Sequence, residues 1–154
     1  MENNIKLLDG SMSYPLELDG YNLNNRLWTG DVLINNPEVI KKIHKGYINS
    51  GSDYLLTSTY QISYDILKEI GINSEEIKEL FQRSLDLAKE AIVEANTKKD
   101  IKVVASLGPF ASYKKNASEY IGIYDSSDDE IYNFHNNNLN ICLLYTSPSP
   151  RDTI

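Results

Sequence analysis

Three short apolar runs, each followed by an amphipathic stretch of helical period, constrain this chain more than any other feature. The runs are Ile5-Lys6-Leu7-Leu8, closed by Asp9-Gly10, then Asp53-Tyr54-Leu55-Leu56-Thr57, then Ile101-Lys102-Val103-Val104-Ala105-Ser106. Short, nearly continuous apolar runs bounded by turn residues suit buried strands, the first included. The helical stretches between them carry their own start and stop signals. Asn36 is a good N-cap, Pro37 suits the first helical position and Glu38 suits the positive end of the helix dipole. Val39, Ile40, Ile43 and Tyr47 recur at helical spacing until Gly51. A short helix is expected over Tyr64–Ile70, stopped by Gly71. Asn73 or Ser74 caps a longer one with a stripe of Ile77, Leu80, Phe81, Leu85, Leu87, Ala88 and Ile92. Ser126 or Ser127, followed by Asp128, Asp129 and Glu130, opens a last helix through Ile131, Phe134 and Leu139. Residues 11–33 are expected to be a long loop holding one helical turn, and a polar loop follows the third strand.

Strand and helix alternating three times indicate an α/β fold, a parallel sheet covered by helices. A doubly wound open sheet and a (β/α)8 barrel both satisfy that pattern. Three strands are few for the first and less than half of the second, which takes about 250 residues. The 154 residues fit one domain. With 22 Asp and Glu against 15 Lys and Arg, the net charge of −7 argues against nucleic-acid or anionic-membrane partners, because both need clustered cations. A single cysteine excludes an internal disulfide and a CxxC-type zinc site. No apolar run reaches the roughly 18–20 residues of a membrane span, and MENNIKLLDG has no signal-peptide pattern. A soluble, cytoplasmic setting is the expectation.

The stretch Cys142-Leu143-Leu144-Tyr145-Thr146-Ser147-Pro148-Ser149-Pro150-Arg151-Asp152 breaks the helical pattern. It resembles the translated end of a sequencing-library adaptor, so residues 1–141 are expected to be the domain and 142–154 a non-native tail. A genuine Ser/Pro-rich tail is the alternative.

Ligands in parallel α/β sheets sit beyond the carboxyl ends of the strands. That rule selects Asp9-Gly10-Ser11-Met12, Ser58-Thr59-Tyr60-Gln61 and Ser106-Leu107-Gly108-Pro109. Each mixes small or backbone-exposing residues with polar ones, which suits a zwitterionic small molecule. Asp9 reads equally as an acceptor for a substrate ammonium and as a turn residue capping the next backbone N–H. Trp28 reads as a pocket wall or as ordinary packing. His44 is expected to be a half-exposed helix residue and His135 a structural one; neither has a second His or Cys at ligand spacing. Glu119-Tyr120 and Tyr124 fit a lid or plain surface packing, and Asn116-Ala117-Ser118 is a glycosylation triplet that matters only on secretion. Cys142 falls in the suspect tail. No P-loop, GxGxxG, HExxH or GxSxG is present.

Taken in order, Leu7-Leu8-Asp9-Gly10-Ser11-Met12, Leu27-Trp28-Thr29, Asn36-Pro37-Glu38, His44, Gly51, Thr57-Ser58-Thr59-Tyr60-Gln61, Ser106-Leu107-Gly108-Pro109 and Ser118-Glu119-Tyr120 resemble the N-terminal half of the homocysteine S-methyltransferase family. The resemblance covers roughly residues 5–139. It implies the N-terminal portion of a (β/α)8 TIM barrel, about three βα units. It implies methyl transfer from a donor such as S-methylmethionine to the zinc-bound thiolate of homocysteine, giving methionine. Asp9 and Gly10 match the segment that grips the amino-acid end of homocysteine, Trp28, Tyr60 and Gln61 match positions near the substrate or donor, and Ser106, Gly108 and Pro109 match the third-strand segment at the barrel mouth. Ser11 and Pro15 depart from the pattern, where many members have Gly and an acidic residue; this leaves the donor open.

The family's three cysteine ligands for Zn2+ have no counterpart here, since Cys142 matches none of their places, and are expected in the C-terminal half. Another amino-acid-binding TIM-barrel enzyme and a non-catalytic α/β interaction module are the rival readings. A three-strand portion of a closed barrel exposes sheet edges and apolar faces. The 154-residue chain alone is therefore expected to be poorly soluble or partly unfolded, and inactive. Near-UV circular dichroism and an assay of methyl transfer to homocysteine check this; a cooperative melt with turnover would refute it.

Overall fold

Backbone pairing joins the three apolar runs in parallel and in chain order. The structure, a computed structural model, describes residues 5–114, 118–122 and 125–146. Strand β1 (Tyr54–Leu56) pairs with β2 (Lys102–Val104), with Leu55 opposite Val103. The first run joins through one parallel bridge between Leu8 and Tyr54. The Asp9 N–H donates to the Tyr54 carbonyl at 3.0 Å and the Asp53 N–H to that of Leu7 at 2.7 Å. Asp53 reinforces this edge. Its carboxylate accepts the Leu7 N–H at 2.8 Å and meets Lys99 at 3.0 Å. The Leu7 bond, then the Lys99 contact, hold the Asp53 carboxyl below its ordinary value.

The first run is therefore not the buried strand its sequence suggests. Leu7 and Leu8 remain 52% and 56% exposed. Only β1 flanks the run among the described residues, so its apolar side chains meet no second neighbour.

Helices α1 (Ser13–Leu18), α2 (Thr29–Asn35) and α3 (Pro37–Asn49) connect the first run to β1. Helices α4 (Tyr64–Glu69) and α5 (Ser74–Ala95) connect β1 to β2, and α6 (Phe110–Lys114), α7 (Ser118–Ile121) and α8 (Asp128–Thr146) follow. Parallel neighbours require such long crossovers. Residues 11–33 thus hold two helices rather than a loop. Scattered Gly and Asn hide their period, and they form because burial of Leu16, Val32 and Leu33 overrides weak propensity.

Asn73, rather than Ser74, caps α5. Its side chain accepts from the Glu75 and Glu76 N–H groups while Glu76 returns a bond to the Asn73 N–H. Ser127, rather than Ser126, does the same with Glu130 for α8. Asn36 precedes α3 but makes no side-chain cap; Pro37, with its preset φ, starts that helix. The helical pattern expected to break at Cys142 continues through Thr146. Phe134, Asn138, Ile141 and Cys142 lie at helical spacing and are all buried. Residues 147–154 lie outside the described residues.

The larger core gathers Leu16, Leu33, Ile40, Leu67, Ile77 and Leu87, and a smaller one packs Leu55 and Ile101 of the sheet region on Ile48, Ala88 and Ala91. Helices α3 and α5 lie side by side, with Lys41 bonded to Glu90 and Glu94 at 3.1 Å and Lys45 to Glu94 at 2.9 Å. No helix among the described residues is long and apolar enough to cross a membrane.

Leu7, Leu8, Val104 and Leu107 leave apolar surface at the sheet margins. Replacing Leu8 and Val104 together by Lys is expected to reduce self-association of the chain, read by light scattering across a concentration series. Neither side chain is buried, so the cost in stability is expected to stay within about 0.5 kcal/mol.

Candidate functional site

The carboxyl ends of the parallel segments open on one cavity of about 270 Å³. The first loop lines it with Asp9 through Ser13, the end of β1 with Leu56, Thr57 and Ser58 and then Tyr60 and Gln61, and the third segment with Ser106. Trp28 and Thr29 come from the start of α2. Asp9, Gly10, Trp28, Tyr60, Gln61 and Ser106 are thus brought together from positions far apart in the chain. Gly108 is not a lining residue. A Cβ there would lie 2.1 Å from the Tyr60 carbonyl oxygen. Its absence lets the third loop close against the second.

The Asp9 side chain is only 2% exposed. Oδ2 accepts the Leu56 N–H at 3.0 Å, so the carboxylate caps backbone, but on the neighbouring strand rather than in its own turn. Oδ1 is buried and has no hydrogen-bond partner among the described residues. Burial pushes the carboxyl up to about 6, against the lowering effect of the Leu56 N–H. An acceptor left bare beside a cavity invites a cationic donor.

The loop carrying Asp9 is clamped from α3. The Tyr47 O–H donates to the Ser11 carbonyl at 2.7 Å. A Cβ on Gly10 would lie 2.9 Å from that phenol oxygen, so a larger residue there would push the Tyr47 ring aside. His44, one turn earlier, is 0% exposed. This corrects the half-exposed placement expected for it. Its position four residues after Ile40 and four before Ile48 puts it on the buried face. Nδ1 lies 4.0 Å from Asp9 Oδ2. Neither ring nitrogen has a hydrogen-bond partner among the described residues, and burial pulls the imidazole down to about 4.

Hydroxyls fasten the second and third loops. The Ser106 N–H donates to Thr57 Oγ1 at 2.9 Å, and the Thr59 O–H donates to the Ser106 carbonyl at 2.7 Å. With the Thr59 proton so engaged, the 2.7 Å contact between the two threonines has Thr57 as donor. Three bonds therefore close a ring. Behind it, the Ser58 N–H donates at 2.8 Å to Ser84 Oγ, buried on α5. Trp28 stands at φ +50, ψ −120, a conformation that costs about 1–3 kcal/mol. It and Tyr60 are exposed at the cavity.

His135 is exposed, its ring edge-on to Phe134. Tyr120 is exposed on α7 and does not line the cavity. Tyr124, Asn116 and Ala117 lie outside the described residues. No group of three His, Cys, Asp or Glu converges among the described residues. Asp9 and His44 offer two donors where a catalytic zinc has three protein ligands. The buried Cys142 thiol is pushed up to about 11 and is no ready thiolate. These residues do not fit a zinc site. The sequence did not single out Thr29 or Ser13 as lining residues, nor His44 and Tyr47 as supports of the first loop; for the last two, their shared face on α3 was the available signal.

A family model described as homocysteine S-methyltransferase matches residues 6–147. The homocysteine S-methyltransferase YbgG of Bacillus subtilis is 36% identical over 137 residues, covering 84% of this chain and 43% of that protein. Homocysteine S-methyltransferase 1 of Arabidopsis thaliana is 34% identical over 146 residues, covering 88% and 45%. The crystal structure of the homocysteine methyltransferase MmuM from Escherichia coli, metallated form, superposes with a TM-score of 0.83 at 32% identity, over 95% of this chain and 52% of that one. The chain spans about half the length of the relatives it matches.

The Asp9 carboxyl is expected to titrate near pH 6 in the empty site. Carboxyl-carbon NMR checks it, and a midpoint at the ordinary 3.8 would show Oδ1 to be solvated.

Proposed function

This chain belongs to the homocysteine S-methyltransferase family, and on that premise we propose that its cavity holds the amino-acid end of homocysteine for methyl transfer to the sulfur. The observation that carries the reading is Asp9 Oδ1, buried and without a partner beside the cavity. An α-ammonium satisfies that oxygen and favours its ionised form. Gln61, Ser58 and Ser106 supply polar groups around the remaining cavity wall. Trp28 and Tyr60 present aromatic rings there. Their faces suit a sulfonium or quaternary ammonium donor, because a ring quadrupole attracts a cation.

In the reaction homocysteine reacts as its thiolate, the S–H proton having gone to solvent, and the sulfur forms a bond to the donor methyl carbon as that carbon's bond to the onium sulfur or nitrogen breaks. The leaving group departs neutral and methionine is the product. This chain's contribution is to fix one reactant and exclude water, the positioning on which such a displacement depends. The Zn2+ expected of the family finds no ligand set among the described residues, and no step is assigned to it. We read residues 1–141 as the N-terminal part of a homocysteine-binding (β/α)8 domain, supported by the parallel order of its three segments, and 142–154 as a foreign tail. Cys142 is buried at helical spacing from Phe134 and Asn138 whatever its origin, while Leu143 is exposed.

Two outcomes follow, both read in the intact protein that carries residues 1–141. Asp9→Asn is expected to weaken homocysteine binding by roughly 100-fold, the order expected when a buried charge partner is removed, while a des-amino analogue of homocysteine is unaffected. Because the ionised carboxylate is the binding form, affinity stays level above pH 6 and falls as Asp9 protonates below it, by about tenfold per pH unit. Calorimetric titration with both ligands measures each; wild-type affinity in Asp9→Asn would sink the reading.

A further inference from the structure

We propose that His44 is a positioning residue for Asp9: its imidazole stands behind the carboxylate and becomes its hydrogen-bond donor when an amino group docks on Oδ1. The inference rests on the reading of Asp9 as the ammonium acceptor and extends it to a residue that does not itself line the cavity.

The geometry sets up an incomplete bond. His44 is fully buried, Nδ1 is 4.0 Å from Asp9 Oδ2, and both ring nitrogens lack partners among the described residues. Burying polar atoms without partners is costly, and native interiors rarely tolerate it. A packing role alone would be filled at less cost by an aliphatic side chain. A shift of about 1 Å brings Nδ1 within hydrogen-bond distance of Oδ2. The Leu56 N–H already holds Oδ2, which leaves the carboxylate free to pivot about that bond.

The chemistry of the donor matters as much as its place. Lysine or arginine at this position would neutralise Asp9 and cancel its pull on a cationic ligand. A neutral imidazole donates one N–H and adds no charge. Burial keeps His44 in that neutral form down to about pH 4. Other charged groups on the packed elements are engaged elsewhere. Lys41 pairs with Glu38, Glu90 and Glu94, Lys45 with Glu94, and Lys42 with Asp19. Tyr47 donates to Ser11. Asp9 is the charged group recorded beside the imidazole.

The test uses the intact protein with His44→Leu, which deletes the donor, and His44→Asn, whose side-chain amide reproduces an N–H near the Nδ1 place. His44→Leu is expected to raise KM for homocysteine about tenfold or more, the scale of a bond to a charged group, with kcat within about twofold. The acid limb of the kcat/KM profile moves to higher pH in His44→Leu and returns towards wild type in His44→Asn. The des-amino analogue binds all three proteins alike. In the unmutated protein, the His44 Nδ1 resonance takes a hydrogen-bonded shift on adding homocysteine, a readout that survives if a variant fails to fold. An unmoved acid limb in His44→Leu, equal losses in both variants, or a silent Nδ1 resonance would overturn the proposal. If Asp9→Asn leaves homocysteine binding intact, it is the functional reading that fails; loss in Asp9→Asn without an effect at His44 removes this inference alone.

Discussion

The hydrogen bond from the Leu56 N–H to Asp9 Oδ2 is the contact on which the rest of the site depends. It spans two neighbouring chain segments, so the first loop cannot move without the end of β1. It also occupies one carboxylate oxygen and leaves the other buried, where interactions with charge are stronger than in bulk water. The parallel ladder makes this bond possible, because parallel segments end at the same side of the sheet and bring their loops together. Tyr47 on α3 then locks the loop from behind, its phenol packed against Gly10.

Much of this was legible in the residues. Three apolar runs separated by helical stripes indicate a parallel α/β arrangement, and the strand-end rule selects Asp9, Tyr60, Gln61 and Ser106, which line the cavity. What escaped had physical causes. Leu7 and Leu8 look like core because apolar content does not reveal how many neighbours a segment has. Helices α1 and α2 hide among Gly and Asn, since tertiary burial of Leu16 and Leu33 supplies what local propensity lacks. The steric reason for glycine at 108 depends on a carbonyl 48 positions earlier, which local sequence does not show. The importance of His44 depends on a residue in another loop, which a helical period alone cannot indicate.

Charge is distributed with a similar logic. The chain carries a net −7, and on α3 Lys41 and Lys45 pair with carboxylates of α5 while Lys42 pairs with Asp19. The Lys42–Asp19 pair is exposed and contributes little to stability. Asp9 is the reverse: a buried acid without a cation of its own among the described residues. An acidic protein with an uncompensated carboxylate at its cavity favours the approach of cations, and both the ammonium of an amino acid and an onium methyl donor are cations. Trp28 adds backbone strain at the same place, a kind of tension that sits more readily at a working site than in a purely structural loop.

The ring of bonds through Thr57, Thr59 and Ser106 has no free end. A linear chain of donors can lose its last member and let water take over. In a closed one, Ser106 takes part through its backbone N–H and carbonyl and its side chain can vary, whereas loss of either threonine hydroxyl strands two polar groups. Evolutionary drift at the rim is therefore expected to exchange threonine for serine singly but to lose the two hydroxyls only by coupled replacement. A lineage that loses one hydroxyl passes through a less stable intermediate before it reaches a different rim.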